Sequence, residues 1–437
     1  MDREKVMSPA RPVKLALIGG GMFGGDVVIR SIEDVERCGL APYLGRVGFD
    51  HRAREMASLE FQLVAIGTRT ATTAERLCNA YRSAIPNASP QPYHGETPWV
   101  DIFNDHKIDV VLVATPDSLH YAPVRHALEN GAHVMVEKPL TLSLQEADDL
   151  LRLSREKNLV VGVDMHKRYD PCHRYMFEEL LESLGTPLYA RAVLEEPLEV
   201  STEIFKWAAT SNPFSYVGIH WVDLIGHYLK SPPSSLHAVG QKRLLVNWNQ
   251  EGGDRSIDTF DAMQVAVDYQ NGLRAYYVNN WINPKEFEGA VNQEIELVGT
   301  RGKVEFDQQY RGMRATIAGL GSKTFNPHFT RDIPRTDAKS KSYTGYGKDS
   351  IVVILERAME ILLGLADRDA LAGTYPDIES SRSSVGIIEA AAEVAQRNLD
   401  TLTSGQGTPV TARFSEQGVE IVDPIHGNST LYEGTPY

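Results

Sequence analysis

Cysteine is scarce in this chain. Cys38, Cys78 and Cys172 stand far apart and form no C-x-x-C pair. That excludes a disulfide framework or a zinc ribbon as the organising element. Long apolar runs are also missing: the longest, such as DVVLVA at 109–114, have the length of a strand and fall far short of a membrane span. The polar start, MDREKVMSPARPVK, lacks the apolar core of a secretory signal. Positive charge is outweighed, with 44 Lys and Arg against 58 Asp and Glu, a net charge of −14. That balance opposes nucleic acid and anionic membrane as partners. No internal repeat or low-complexity tract stands out. The expectation is a cytoplasmic protein with no nucleic-acid or membrane partner.

What is present is an ordinary globular composition, 42% hydrophobic and 23% charged over 437 residues. That length is too great for one compact core and implies two domains. In the first third, short apolar runs recur at 13–19, 63–69, 109–115, 132–138 and 159–165, with helix-like segments between them. Runs apolar on both faces, separated by helical periodicity, indicate a parallel sheet covered by helices. Such sheets bind ligands at the carboxyl ends of their strands.

The first such end reads GGGMFG, with Gly19, Gly21 and Gly24 at the G-x-G-x-x-G positions and Met22 and Phe23 between the last two. Gly19 permits a tight turn. A side chain at Gly21 would obstruct a pyrophosphate, and Gly24 lets the next helix pack on the strand. The N-terminus of that helix attracts phosphates. The run therefore predicts a dinucleotide site. The second strand begins about forty residues after Gly24, where roughly twenty to the ribose-reading position is usual. The excess is an apparent insertion at about 38–60 with no assigned role. The second strand ends in Thr68 and Arg69 rather than the acid that binds a free ribose diol. An arginine and a hydroxyl suit a 2′-phosphate, so NADP is favoured over NAD, with a solvated Arg69 as the alternative.

Later segments alternate apolar and polar residues. Residues 258–282 flank Asn271–Gly272 and residues 292–310 flank GTRG, both hairpin signals. Residues 188–196 and 235–244 read as strands, and 378–398 as a helix with an apolar stripe. Residues 212–230, NPFSYVGIHWVDLIGHYLK, read as a helix with Tyr216, His220, Asp223 and His227 on one face. His220, Asp223 and His227 could ligate zinc from such a face, but zinc helices usually pair histidines at i, i+4, and no metal is expected.

Four features coincide: the glycine turn, Thr115 and Pro116 in ATP at 114–116, the EKP of Glu137, Lys138 and Pro139, and a later G-x-H-x-x-D at 218–223. With them the chain resembles the Gfo/Idh/MocA family of glucose–fructose oxidoreductase and inositol dehydrogenase, from about residue 13 to about 400. The resemblance implies an α/β protein: an N-terminal doubly wound Rossmann domain, 1–165, and a C-terminal α/β domain, 166–437, on a large, mostly antiparallel sheet. Helix 378–398 would pack back near the first domain. It implies nicotinamide cofactor binding by the glycine loop, Thr68, Arg69, Thr115, Pro116, Glu137 and Lys138. It also implies a sugar, polyol or cyclitol substrate, and a homodimer or homotetramer formed through the large sheet.

By the same resemblance, Lys138 sits between nicotinamide and substrate, and His220 is the helix histidine of the family. Oxidising a secondary alcohol needs a hydride acceptor and a proton acceptor. Imidazole suits the base role, and an ammonium stabilises developing alkoxide. Many family members carry an aspartate four residues before the histidine, where this chain has Tyr216. A phenol is a poor base at neutral pH, so Tyr216 is expected to hydrogen-bond substrate or relay a proton. Asp223 either orients His220 or makes a structural contact, and His227 is structural. His166, Arg168, Lys206 and Trp207 are candidate substrate contacts, with loops 326–329 and 342–347 as candidate pocket walls. Two other functions stay open: a non-catalytic dinucleotide-binding sensor, and an NAD-dependent glycosidase that oxidises and re-reduces its sugar.

Overall fold

Six short strands open the computed structural model, which describes residues 11–437 apart from 310, 312–313, 320, 325 and 335–340. The polar first ten residues and Tyr310, at the end of a predicted hairpin, lie outside the described residues. The strands are β1 (Val13–Ile18), β2 (Phe61–Thr68), β3 (Gln91–His94), β4 (Val110–Val113), β5 (His133–Val136) and β6 (Val161–Val163). They are parallel and ordered β3-β2-β1-β4-β5-β6, the doubly wound order with its switch point between β1 and β4. β4, β5 and β6 are buried at every residue, which is why they read as continuous apolar runs. β3 escaped the sequence reading for the opposite reason. It is an edge strand, QPYH, with three of four residues exposed and a proline that donates no ladder bond.

The chain forms two units. The first holds residues 1–141, 146–170 and 328–379; the second holds 142–145, 171–327 and 380–437. The sequence put everything after 165 in one domain, whereas 328–379 folds with the parallel sheet. The reason is the helix Tyr346–Leu362, buried at nearly every residue. Its Ile351, Ile354 and Leu355 join the core of Leu15, Leu17 and Val28. A Cβ on Gly162 of β6 would stand 2.5 Å from Ile354, so that strand needs a glycine for the helix to seat.

The insertion has a structural partner in this helix. It folds as short helical turns, Ala41–Leu44, Gly45–Val47, Asp50–Arg52 and Ala53–Met56. Arg46 grips Asp349 with two bonds, 3.1 and 2.9 Å, and Arg52 donates to Glu360 at 2.7 Å. Arg357 lies over the ring of Phe49, 4.1 Å from its centre. Lys348 is buried and donates to Asp34 at 2.9 Å. Burial of this kind leaves no charge without a counter-charge.

The second unit is built on nine strands: β7 (Pro187–Pro197), β8 (Pro233–Gln241), β9 (Ala262–Tyr269), β10 (Arg274–Asn283), β11 (Asn292–Gly299) and β12 (Gly302–Asp307), with three C-terminal ones. Two small hairpins intervene in the sequence, β13 (Arg314–Ile317) with β14 (Gly321–Thr324), and β15 (Arg331–Pro334) with β16 (Lys341–Thr344). The C-terminal strands are β17 (Thr411–Ser415), β18 (Gly418–Val422) and β19 (Ser429–Glu433). The sheet order is β12-β11-β7-β10-β9-β8-β17-β18-β19, antiparallel except for β7 against β10. Both predicted hairpins are present. β9 and β10 turn around Gly272, whose φ of +86° suits glycine, and Gly299 pairs with Gly302 across the second turn. The C-terminal helix runs Ile378–Thr403. Among the described residues no helix is long and apolar enough to cross a membrane.

Candidate functional site

In the first unit, the chemistry gathers where the strands end. Gly19 has φ +105°, and a Cβ there would stand 2.2 Å from the Ala114 carbonyl oxygen. Only glycine fits that turn. A Cβ on Gly24 would come within 2.7 Å of the Gly19 carbonyl oxygen, so this glycine lets the helix close on the strand. Gly21 differs: nothing lies within 4 Å of its would-be Cβ. The space beside it is open. Met22 beside it is exposed. The following helix begins as a wide π-helical turn, Gly24–Val28, and continues as Ile29–Cys38.

At the end of β2, Thr68 is buried and its hydroxyl donates to the Thr70 carbonyl at 2.8 Å. Arg69 is exposed and pairs with no carboxylate among the described residues. At the end of β4, the Thr115 hydroxyl oxygen is buried without a hydrogen-bond partner among the described residues. His120 ties this loop to the next. One ring nitrogen lies 2.6 Å from the Pro139 carbonyl and the other 2.9 Å from the Thr115 carbonyl. Burial lowers its pKa. Lys138 and Glu137, after β5, are both buried.

His166 and Arg168, assigned by the sequence to the substrate, lie on the short turn His166–Tyr169 and are buried in the first unit. The His166 ring is enclosed by Phe23 (6.0 Å between centres), Phe329 (5.2 Å) and Tyr346 (5.8 Å). Phe329 and Tyr346 come from the two loops expected to wall a pocket. Asp164, absent from the sequence reading, lies 3.6 Å from the His166 ring and accepts a bond from Ser350. The signal that could have found it is an aspartate closing an otherwise apolar strand, LVVGVD.

In the second unit, the segment read as one α-helix is two pieces. Asn212 accepts the Ser215 N–H at 2.8 Å and caps the start. A π-helical turn, Phe214–Gly218, follows, and then the α-helix Ile219–Leu229. α-Helical spacing therefore does not place Tyr216. The wide turn accompanies close packing: a Cβ on Gly218 would stand 2.5 Å from the Phe214 ring and 2.8 Å from Asn279 on β10. Trp221 donates to the Val193 carbonyl of β7 at 2.9 Å and fixes the helix on the sheet. His220 and Asp223 are buried. His227 is half-buried with its ring 4.7 Å from Tyr228.

Tyr216 belongs to an aromatic group. Its ring lies 4.8 Å from Phe205, 5.6 Å from Trp207 and 5.9 Å from Trp281. Phe205 and Trp207 stack at 4.5 Å. Tyr216 and Trp207 keep part of their surface open, and Lys206 is exposed. Ring faces of this kind suit the apolar C–H face of a sugar or cyclitol.

The sequence profile of the oxidoreductase family with an NAD-binding Rossmann fold matches residues 13–165, and the Gfo/Idh/MocA C-terminal domain profile matches 179–305. The chain belongs to the Gfo/Idh/MocA family. It is therefore a nicotinamide-dependent oxidoreductase. It is 24% identical over 342 residues to scyllo-inositol 2-dehydrogenase (NAD(+)) of Bacillus subtilis, covering 76% of this chain and 93% of that one. It is 37% identical over 261 residues to 2,7-anhydro-N-acetylneuraminate hydratase of Mediterraneibacter gnavus, covering 59% and 66%. Among solved structures, GenD2 from gentamicin A biosynthesis, in complex with NAD, shares the fold with a TM-score of 0.62 and 19% identity, over 91% of this chain and 97% of that one. The glycine loop fits the family's cofactor: the space beside Gly21 is open, and the Thr115 hydroxyl oxygen is buried with no hydrogen-bond partner among the described residues.

Proposed function

We propose that the protein transfers a hydride between nicotinamide and a secondary alcohol or ketone of a sugar, cyclitol or sugar derivative. The observation that carries this reading is Lys138, a buried lysine two residues past the end of β5, on a loop that His120 ties to the loop after β4. The bound cofactor supplies the hydride acceptor. Lys138 hydrogen-bonds the alcohol oxygen and stabilises its developing charge. His220 accepts the proton, with Asp223 one helical turn on to orient its imidazole. Tyr216 touches a substrate hydroxyl with its phenol, while Trp207 lies against the apolar face of the ring. The exposed Arg69, which pairs with no carboxylate among the described residues, supports NADP over NAD, since it is available to a 2′-phosphate.

The experiment is a panel of cyclitols, polyols and sugars with NAD and with NADP, read by reduced-nicotinamide absorbance. Turnover with one class of ring polyol is expected, and an unresponsive panel with both cofactors would oppose the reading. A second reading is favoured by one observation. A relative 37% identical is a hydratase, and hydration makes no net redox change. A family built to bind nicotinamide can then oxidise its substrate and reduce it again within one turnover. Product formation without accumulated reduced cofactor would select that reading. Oligomerisation through the large sheet is proposed from its exposed Tyr189 and Tyr276 beside Arg191 and Arg274. Sedimentation of Tyr276→Glu against the unmodified protein tests it.

A further inference from the structure

Strand register brings two acids together in the first unit. β5 and β6 pair in parallel with Val136 opposite Val163, so the next residues, Glu137 and Asp164, leave the sheet side by side. Asp164 is fully buried and Glu137 is 7% exposed. Among the described residues no N–H or O–H reaches Glu137 Oε1 or Asp164 Oδ2. These two carboxyl groups and a His166 ring nitrogen bring one atom each within 4.8 Å of one another. Two ionised carboxylates so placed, out of water, are strongly unfavourable. Either a proton or a cation must lie between them.

The surrounding charges decide between the two. Lys138, Lys167 and Asp117 act on the site and are buried. Arg168, on the same turn as His166, and Asp170, just after it, are buried and add one charge of each sign. His166 and His120 are held toward the neutral form by burial. With one proton on the acid pair, two negative charges face two lysines. A divalent ion with both acids ionised would leave a buried excess of positive charge, so the count favours a proton. We propose that Glu137 and Asp164 share a single buried proton, with His166 as its third neighbour, and that this pair sets the charge felt by Lys138. Burial first, and then the charge of Asp164, push the Glu137 carboxyl well above the usual range, so Glu137 carries the proton and Asp164 accepts it. Ser350 holds Asp164 in place from the helix Tyr346–Leu362. Glu137 and Asp164 act through Lys138 and are positioning residues. The inference rests on the reading of Lys138 as a group at the reacting carbon.

Two measurements test it. Infrared spectroscopy near neutral pH should show a protonated carboxyl band that shifts in D2O and is lost in Glu137→Gln, whose amide donates to Asp164 as the acid did. Glu356, pushed up to about 8, contributes a second band that this substitution leaves in place. A wild-type spectrum whose carboxyl band is untouched by Glu137→Gln would overturn the shared proton. So would a stoichiometric metal ion that copurifies with the protein and is lost in that variant. The second measurement is the alkaline limb of the kcat/KM profile. Glu137→Gln keeps one negative charge on the pair and should leave the limb in place. Glu137→Gln with Asp164→Asn removes that charge and should move the limb about one pH unit lower. A limb unmoved in the double variant would sever the pair from Lys138. A Lys138→Met enzyme that keeps both its activity and its alkaline limb would undo the functional reading instead, with the infrared result unaffected.

Discussion

The strand-end site of the first unit and the helix face of the second are built from opposite materials. Around Gly19, Gly24 and His120 the shape is set by backbone: carbonyl oxygens within hydrogen-bond distance of the His120 ring, and glycines where no Cβ fits. Its side chains are ionisable groups, Lys138, Glu137, Asp164 and Asp117, all buried. Around Tyr216 the shape is set by aromatic rings from three separate segments. Backbone shape with fixed charge suits a cofactor and a reaction common to a family. Interchangeable ring faces suit the choice of substrate. Under the proposed function, the difference predicts that chemistry and specificity can be broken separately in this molecule.

The largest expected effect is on the chemical side. Lys138→Met keeps the buried stem and removes the charge, and kcat/KM should fall about a thousandfold with cofactor affinity retained. Steady-state kinetics and cofactor titration check it together. Next come two glycines a turn apart. Gly19→Ala forces a strained φ and a clash with Ala114, a cost on the order of 3 kcal/mol, and should lower Tm. Gly21→Ala meets no protein atom, so Tm should hold while cofactor affinity drops. Equal loss of Tm in both would break the distinction between a turn and a cradle. On the specificity side, Tyr216→Phe should lower kcat/KM by about tenfold, and Trp207→Ala should raise KM with little change in kcat. If Tyr216→Phe is unchanged, the phenol has no part in the reaction.

The smallest effect is remote from both. Glu356 is buried and its pKa is pushed up to about 8, by burial first and then by Glu360. An acid raised in the folded state binds more protons there than when unfolded. The stability it contributes is therefore lost as pH rises from its ordinary value near 4.5 toward about 8. Glu356→Gln should raise Tm slightly more at the alkaline end of that window than at the acid end, and thermal melts across the window check it.

The glycine turn was legible because it depends on local sequence. A G-x-G-x-x-G between a strand and a helix predicts a tight turn and a close helix, and Gly19 and Gly24 each answer to a backbone contact in the structure. EKP and the apolar strands were legible for the same reason. Asp164 was not, since its meaning lies in a register with β5 that no local pattern states. The surroundings of Tyr216 were legible only in part: Trp207 was named, but Trp281 reaches Tyr216 from strand β10, and the wide turn Phe214–Gly218 breaks the spacing on which the one-face reading relied. The insertion at 38–60 was opaque because its partners, Asp349 and Glu360, lie some three hundred residues away.

The central claim is that hydride passes between a substrate carbon and nicotinamide with Lys138 at the reacting oxygen. Single-turnover absorbance tests it most directly, with the cofactor-loaded enzyme mixed with a substrate identified from the ring-polyol panel. The account predicts reduced nicotinamide within the first turnover of the wild type, whether or not it is later reoxidised, and none in Lys138→Met. Product formed with no reduced nicotinamide at any time, or a Lys138→Met enzyme as fast as the wild type, would contradict it.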